Sequence, residues 1–316
     1  MGIMKRGLRV GVQTTWTLGK IIFPITLIIT ILGYTPLLGM LANGLAPFMG
    51  AIGLPGEAAI PLVLGNVLNL YAGIGAILTL DLTVKEVFIL AVMLSFSHNV
   101  FVESAVAAKL GIRMSIVLIV RFGLALSSAL AIHLLWSGGQ ERAEYGLVAT
   151  GQEPVSGWLA IVGKGFETAA FGILQMAAIV IPLMVIVQWM KEKNGLNRLS
   201  NWMAPFTRLL GIDKNTSTTL ASGLTIGLAF GAGVMIQAAK EDGVKKKDLY
   251  LVFIFLVACH AVVEDTLIFI PLGIPVWPLL LIRLTTAILL TMVIAAVWKQ
   301  MERNNLLKRK ESTYEH

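Results

Sequence analysis

The sequence predicts an all-α integral membrane protein with two inverted-topology repeats, each of about three transmembrane helices plus a re-entrant helical hairpin. Three observations lead there. The 316 residues are 56% hydrophobic and only 14% charged, with a mean hydropathy of +0.81, whereas a soluble domain is nearer half apolar and a quarter charged. Apolar runs of about 20 residues recur, each long enough to span the hydrocarbon of a bilayer. The second half also repeats the first. His98, Glu103, Ser104, Gly111 and Arg121 recur 162 residues later as His260, Asp265, Thr266, Gly273 and Arg283. Further upstream the offset is 158, and Pro24, Ala46-Pro47-Phe48, Gly65, Gly73 and Gly75 recur as Pro182, Ala204-Pro205-Phe206, Gly223, Gly231 and Gly233. The four-residue change of offset falls in the polar stretch EDGVKKK, a loop, where an insertion is tolerated.

Taken in order, the first apolar segment covers about 14–38 and contains Pro24. No small-residue cleavage site follows it, so it reads as an uncleaved first helix. Its copy covers about 169–190. The stretches just before them, 2–13 with Lys5, Arg6 and Arg9 and 156–168 with Trp158, Lys164 and Glu167, read as interfacial amphipathic helices. The second segment, 56–78, and its copy, 215–239, are interrupted by glycines and carry polar groups, Asn66 and Asn69 in one and Thr216 to Thr219, Ser222 and Thr225 in the other. The third segment covers 86–109 and the fourth 113–136, with copies at 249–271 and 275–298.

Loop charge sets the orientation. Lys5, Arg6, Arg9 and Lys20 place the N-terminus inside. The central loop with Glu141, Arg142, Glu144 and Glu153 suits the outside, while Lys191 to Lys214, with five basic and two acidic residues, suits the inside. An inside start and an outside centre need an odd number of crossings. The glycine-broken second segment is therefore the one that re-enters, because non-helical backbone at membrane depth survives only inside protein or beside a wet cavity. The organisation expected is a first repeat over 1–140, an external loop over 141–154, a second repeat over 155–300 and a charged, disordered tail over 301–316. The protein is expected in the cell membrane, multi-pass, with both termini cytoplasmic.

The polar residues inside the apolar segments are the candidate machinery. The third and fourth segments turn near Ile112, and Glu103 and Arg121 each lie nine residues from it; Asp265 and Arg283 stand in the same relation to Ile274. Nine residues is about 13 Å of helix rise, well inside the hydrocarbon. An unpaired charge there costs about 2.5–3.5 kcal/mol on insertion scales, so two intramembrane ion pairs are expected, Glu103–Arg121 and Asp265–Arg283. His98 and His260, at matched positions of inverted halves, should approach each other near a pseudo-twofold axis, where inverted-repeat transporters place their substrate. Asn99 in one half and Cys259 and Glu264 in the other break the symmetry. The substrate-binding candidates are therefore His98, Asn99, His260, Glu264, Asn66 and Asn69. The metal-ligating candidates are Cys259, His260 and His98, suitable first-row ligands, although their spacing matches no chelating motif.

Two halves with glycine-rich re-entrant segments, H-N-x-x-x-E at 98–103 and C-H-x-x-x-E-D at 259–265 resemble the nucleoside recognition, or Gate-domain, membrane proteins. That domain is distantly similar to the membrane part of the bacterial ferrous-iron transporter B and to concentrative nucleoside transporters. The resemblance implies a solute-transport or gating role in a bacterial inner membrane, with the two repeats as gate-like units. The chain departs from the iron transporter in lacking the phosphate-binding G-x-x-x-x-G-K-[ST], and it is shorter than a nucleoside transporter.

The function expected is a membrane transporter or channel-like carrier for a small polar solute, nucleoside-like by preference, bound where the repeats meet. The alternatives are transport of a divalent metal ion and a non-transporting membrane partner or regulator. No H-E-x-x-H, G-x-S-x-G or Ser/Lys constellation points to an enzyme. No cofactor is expected. Expected partners are a small-molecule or ion substrate, the lipid bilayer and, in an assembly the sequence permits, further copies of the chain. The net charge of +7 belongs to loops rather than to nucleic-acid binding, and the single cysteine excludes an intrachain disulfide.

Overall fold

The computed structural model describes residues 2–146, 157–193, 195–228, 233, 235–237 and 243–314. Among them the chain is helical, with no strand beyond one isolated bridge between Thr83 and Arg142. The first half runs through α1 (Ile3–Gly33), α2 (Pro36–Gly50), α3 (Ala59–Val67), α4 (Leu70–Ile77), α5 (Val84–Ser97), α6 (Val100–Lys109) and α7 (Met114–Leu135). The second half runs through α8 (Trp158–Glu192), α9 (Gly195–Leu209), α10 (Ser217–Ile226), α11 (Lys246–Ala258), α12 (Glu264–Leu267) and α13 (Val276–Tyr314). Among the described residues, five stretches are long and apolar enough to cross a membrane: Ile3–Gly33, Val84–Lys109, Met114–Leu135, Trp158–Ile186 and Val276–Asn304.

Burial divides these stretches. Val87 to Ser97 of α5 and Tyr250 to Ala258 of α11 are buried without interruption, as helices apolar on every side should be at the centre of a bundle. α7 and α13 instead turn one face outward, with Leu126, Leu130 and Leu134 on one and Leu281, Leu289, Val293 and Val297 on the other exposed. That outer shell is what lipid would cover. α5 starts on a capping box, in which Thr83 and Glu86 satisfy each other's backbone N–H. Lys85 reaches across to the His133 carbonyl at 3.1 Å and to that of Trp136, closing the last turn of the antiparallel α7.

The corresponding helices α1 and α8 pack against each other along their length. Arg6 pairs with Glu192, Gly7 faces Val185, Gly11 faces Ile181, Gly19 faces Ile173 and Phe23 meets Phe166 edge-on at 5.2 Å. Partner numbers fall as residue numbers rise, so the pair is antiparallel. A Cβ on Gly7 would sit 2.7 Å from the Val185 Cα, and one on Gly11 would sit 2.9 Å from the Ile181 Cα. These glycines let two backbones approach where hydrocarbon offers no hydrophobic drive. The separate interfacial helices expected at 2–13 and 156–168 are therefore absent: both stretches are the first turns of α1 and α8. The tail, expected to be disordered, continues α13 as helix as far as Tyr314.

The segment 56–78 is a helix–break–helix hairpin, with α3 and α4 meeting at glycines. A Cβ on Gly73 would lie 3.1 Å from the Gly65 Cα and 3.0 Å from the Pro61 oxygen. Its counterpart is described through α10 and the break at Gly227 (φ 84°). Much of the expected second arm, and residues 147–154 of the expected external loop, lie outside the described residues.

The third segment and its copy differ most from expectation. Neither is a continuous helix. α5 stops at His98 and α6 restarts after Asn99, whose φ is 55°. α11 stops at Cys259, Ala261 has φ 40°, and only the four-residue α12 and a 3-10 turn (Ile270–Leu272) follow. No glycine or proline marks either break, so tertiary contacts must hold them open.

Candidate functional site

The two breaks meet. The His98 and His260 rings lie 5.1 Å apart, centroid to centroid, with both residues buried. Each ring is fixed in the same way: Nδ1–H of His98 donates to the Leu94 carbonyl at 2.7 Å, and Nδ1–H of His260 donates to that of Leu256 at 2.7 Å. A carbonyl can only accept, so the proton sits on Nδ1 and Nε2 points inward.

Each break leaves a backbone carbonyl outside its helix, and a guanidinium takes it up. Arg121 Nη2 donates to the His98 oxygen, and Arg283 Nη2 donates to the His260 oxygen at 2.7 Å. The same arginines hold the carboxylates: Arg121 Nη1 donates to Glu103 Oε2, and Arg283 Nη2 donates to Asp265 Oδ2 at 3.1 Å. Both arginines are fully buried. Each break is also tied to the neighbouring hairpin through its backbone, Asn99 N–H to the Gly65 oxygen at 2.9 Å in the first, and Ala261 N–H to the Gly223 oxygen at 3.0 Å with Val262 N–H to the Leu224 oxygen at 2.8 Å in the second. A side chain at Gly65 or Gly223 would collide with Leu94 or Leu256 at 2.4 Å. The contacts of the guanidinium with the carbonyl and the carboxylate, and of the break with the hairpin glycine, thus recur in both halves, while the second half adds Arg283 to Thr266 and Val262 to Leu224.

Across the seam the carboxylates face both rings. Glu103 Oε1 lies 3.5 Å from His98 Nε2 and 3.2 Å from His260 Nε2; Asp265 Oδ2 lies 3.9 Å and 3.4 Å from the same atoms. The four acidic and imidazole groups therefore form one cluster to which both halves contribute. It borders a cavity of about 320 Å³ lined by Thr17, Asn69, Tyr71, His98, Asn99, Glu103, Gly227, His260, Glu264 and Asp265, among others. A larger groove of about 670 Å³, walled by Trp202, Met203, Phe206, Leu224 and Phe255, is almost wholly apolar. The smaller cavity is the better candidate, because convergent polar groups rather than volume give orientation and selectivity. Glu264 lines both spaces and accepts a hydrogen bond from the Tyr71 hydroxyl.

Five of the six expected solute-binding residues, His98, Asn99, His260, Glu264 and Asn69, line the cavity. The Asn69 side chain is engaged there as the cap of α4, accepting from Ala72 N–H at 3.0 Å. Asn66 does not line it; its amide donates to the Leu62 carbonyl at 2.7 Å. Cys259 is buried beside His260, but among the described residues the group of ligand-type atoms lying within 4.8 Å of one another is His98, His260 and Asp265. Tyr71 was not singled out in the sequence. Its signal is a phenol in a helix whose other residues are all apolar or glycine, since a buried tyrosine hydroxyl demands a partner.

The Gate family model, described as nucleoside recognition, matches residues 15–114 and 173–274. The two matched stretches start one upstream offset apart, the spacing that aligns Pro24 with Pro182. The uncharacterized membrane protein YvoD of Bacillus subtilis (strain 168) is 62% identical over 298 residues, covering 94% of this chain and 96% of that protein. No solved structure matches.

Proposed function

Because the chain belongs to the Gate family, described as nucleoside recognition, we propose that this multi-pass membrane protein carries a small polar solute, nucleoside-like by preference, through the cavity between its halves. The observation that carries the reading is the cavity itself. It is lined by the buried histidines and carboxylates and built from matched breaks in both halves, and its roughly 320 Å³ is near the small end of the ligand-pocket range of about 300–1,000 Å³. Backbone freed from helix at such a depth needs protein or water around it, and discontinuous helices at the meeting of repeats are where carriers place their sites. Asn99, Glu264 and Tyr71 supply the hydrogen bonding that distinguishes one end of a solute from the other.

In this reading the halves are inverted repeats of three crossings and one hairpin each. The antiparallel register of α1 against α8 supports this. So does the Tyr250 hydroxyl, from the start of α11, accepting from Arg113 N–H at the start of α7: α7 runs antiparallel to α5, so α5 and α11 also oppose. The Arg6–Glu192 pair brings the N-terminus beside the basic loop after α8, consistent with both, and the C-terminus, being cytoplasmic. The reading is a carrier rather than an enzyme.

Thermal unfolding of the detergent-purified protein against nucleosides, nucleobases and organic anions tests it. A ligand at a hundredfold excess over its Kd stabilises the folded state by about 2.7 kcal/mol. One solute class should raise the melting temperature of the wild type and fail on His98→Ala, and the same class should enter proteoliposomes. No stabilisation by any class, with no uptake, would leave a non-transporting partner or regulator as the better reading.

A further inference from the structure

The His–carboxylate cluster poses a problem that the solute reading does not resolve. Both imidazoles spend their Nδ1 proton on a backbone carbonyl, so each Nε2 presents a lone pair to a carboxylate oxygen. Lone pair facing lone pair between buried side chains is unfavourable unless something positive lies between them. His260 Nε2 is fully buried and has no hydrogen-bond partner among the described residues. The arginines do not fill the gap, because each approaches its carboxylate from the side of its own helix hairpin and bonds the backbone oxygen next to it.

We propose that His98 Nε2, His260 Nε2 and the Asp265 carboxylate bind a borderline divalent metal ion, of the zinc or cobalt type, with Glu103 beside the remaining position. The spacing favours a metal over a shared proton. The nitrogen–oxygen separations are 3.2, 3.4, 3.5 and 3.9 Å. An N–H···O bond centres on about 2.9–3.0 Å, whereas a tetrahedral ion with bonds of about 2.0–2.1 Å has ligand–ligand edges of about 3.4 Å. The three ligand atoms all lie within 4.8 Å of one another. The outer contacts match what metal ligands need: each imidazole is fixed through its other nitrogen, and each carboxylate is held by an arginine. Charge also allows it. Glu103, Asp265 and Glu264 face the site with Arg121 and Arg283, so three acids stand against two fixed cations. Two nitrogens with carboxylate oxygen suit zinc-like ions rather than magnesium or calcium. The ion lies in the wall of the cavity assigned to the solute and so rests on that reading of the pocket, but its presence is measured without any solute.

Full-length protein in detergent, stripped with a chelator, would be titrated with Co²⁺ while the visible spectrum is followed, then challenged with Zn²⁺. The expected result is one Co²⁺ per chain with the intense absorption of a four-coordinate nitrogen–oxygen site, displaced by Zn²⁺. His98→Ala and His260→Ala should each weaken binding by about tenfold or more, and Cys259→Ser should change nothing. If an alanine variant fails to fold, X-ray absorption on the wild-type Zn²⁺ complex decides by the presence of two imidazoles. No saturable binding to the wild type, a sulfur charge-transfer band, or affinity unchanged in both histidine variants would overturn the proposal. A wild-type protein that binds no metal but is still stabilised by a solute would overturn it and leave the carrier reading standing.

Discussion

The break after α5 and the break after α11 share one frame and differ in content. In both, a histidine sits at the break, an arginine takes its carbonyl, a carboxylate pairs with that arginine, and a backbone bond reaches a hairpin glycine. Beyond that they part. After His98 the chain resumes as the ten-residue α6, while after His260 it makes only the four-residue α12 before a 3-10 turn. Ser97 corresponds to Cys259 in the duplication, Asn99 to Ala261, and Val102 to Glu264. The shared set is what opening a helix inside a membrane requires, since each freed backbone group must find a partner. Of the unshared set, Asn99, Ala261, Val102 and Glu264 border the cavity, and their side chains have no such duty, so selectivity should reside there.

The largest effects should come from the shared frame. Arg121→Met and Arg283→Met each strand a buried carboxylate and a free carbonyl, and each should cost about 3–5 kcal/mol, read as loss of thermal stability in detergent. Similar costs would mark the arginines as one duplicated device. If one variant unfolds and the other melts like the wild type, the frame is not shared in energy. The next effect belongs to the unshared set. Tyr71→Phe removes the donor to Glu264 and should cost about 1.5–3 kcal/mol, whereas Val102→Ala, at the half-exposed equivalent of Glu264, should stay within about 0.5 kcal/mol. Equal losses would show that the Tyr71–Glu264 bond contributes nothing special. The smallest effect concerns the left-handed residues. Ala261 at φ 40° carries a Cβ where glycine is at ease, so Ala261→Gly should stabilise by up to about 1 kcal/mol. Asn99→Ala, at φ 55°, should destabilise by a similar amount, asparagine being better tolerated there. A melting temperature that falls with Ala261→Gly would mean the methyl packs more than it strains.

Much of this was legible in the sequence, for physical reasons that differ by element. A membrane class follows from apolar runs alone, because a bilayer sets their length. The contact of Glu103 with Arg121 follows from their equal distance from the turn at Ile112, since antiparallel neighbours meet at equal depth. Which helix lies at the centre did not follow: α5 and α7 are similarly apolar, and only packing decides that one is enclosed and the other faces outward. The helix breaks were hidden because neither has a glycine or proline, and the partners that hold them, Gly65, Gly223 and the two arginines, are distant in sequence. The start of α1 was misread for a related reason. Lys5, Arg6 and Arg9 point to an interfacial helix over 2–13, yet Gly7 and Gly11, lacking a side chain, admit α8 and make the stretch part of α1.

Cys259 gives the chain a property unconnected with its own chemistry. It is the sole thiol, and it is fully enclosed at the second break. A thiol in that position reacts with an alkylating reagent only during moments when its surroundings part, so the rate of modification counts those moments. The native protein therefore carries its own stopwatch for the motion of its centre, with no engineered label and no competing signal from another cysteine.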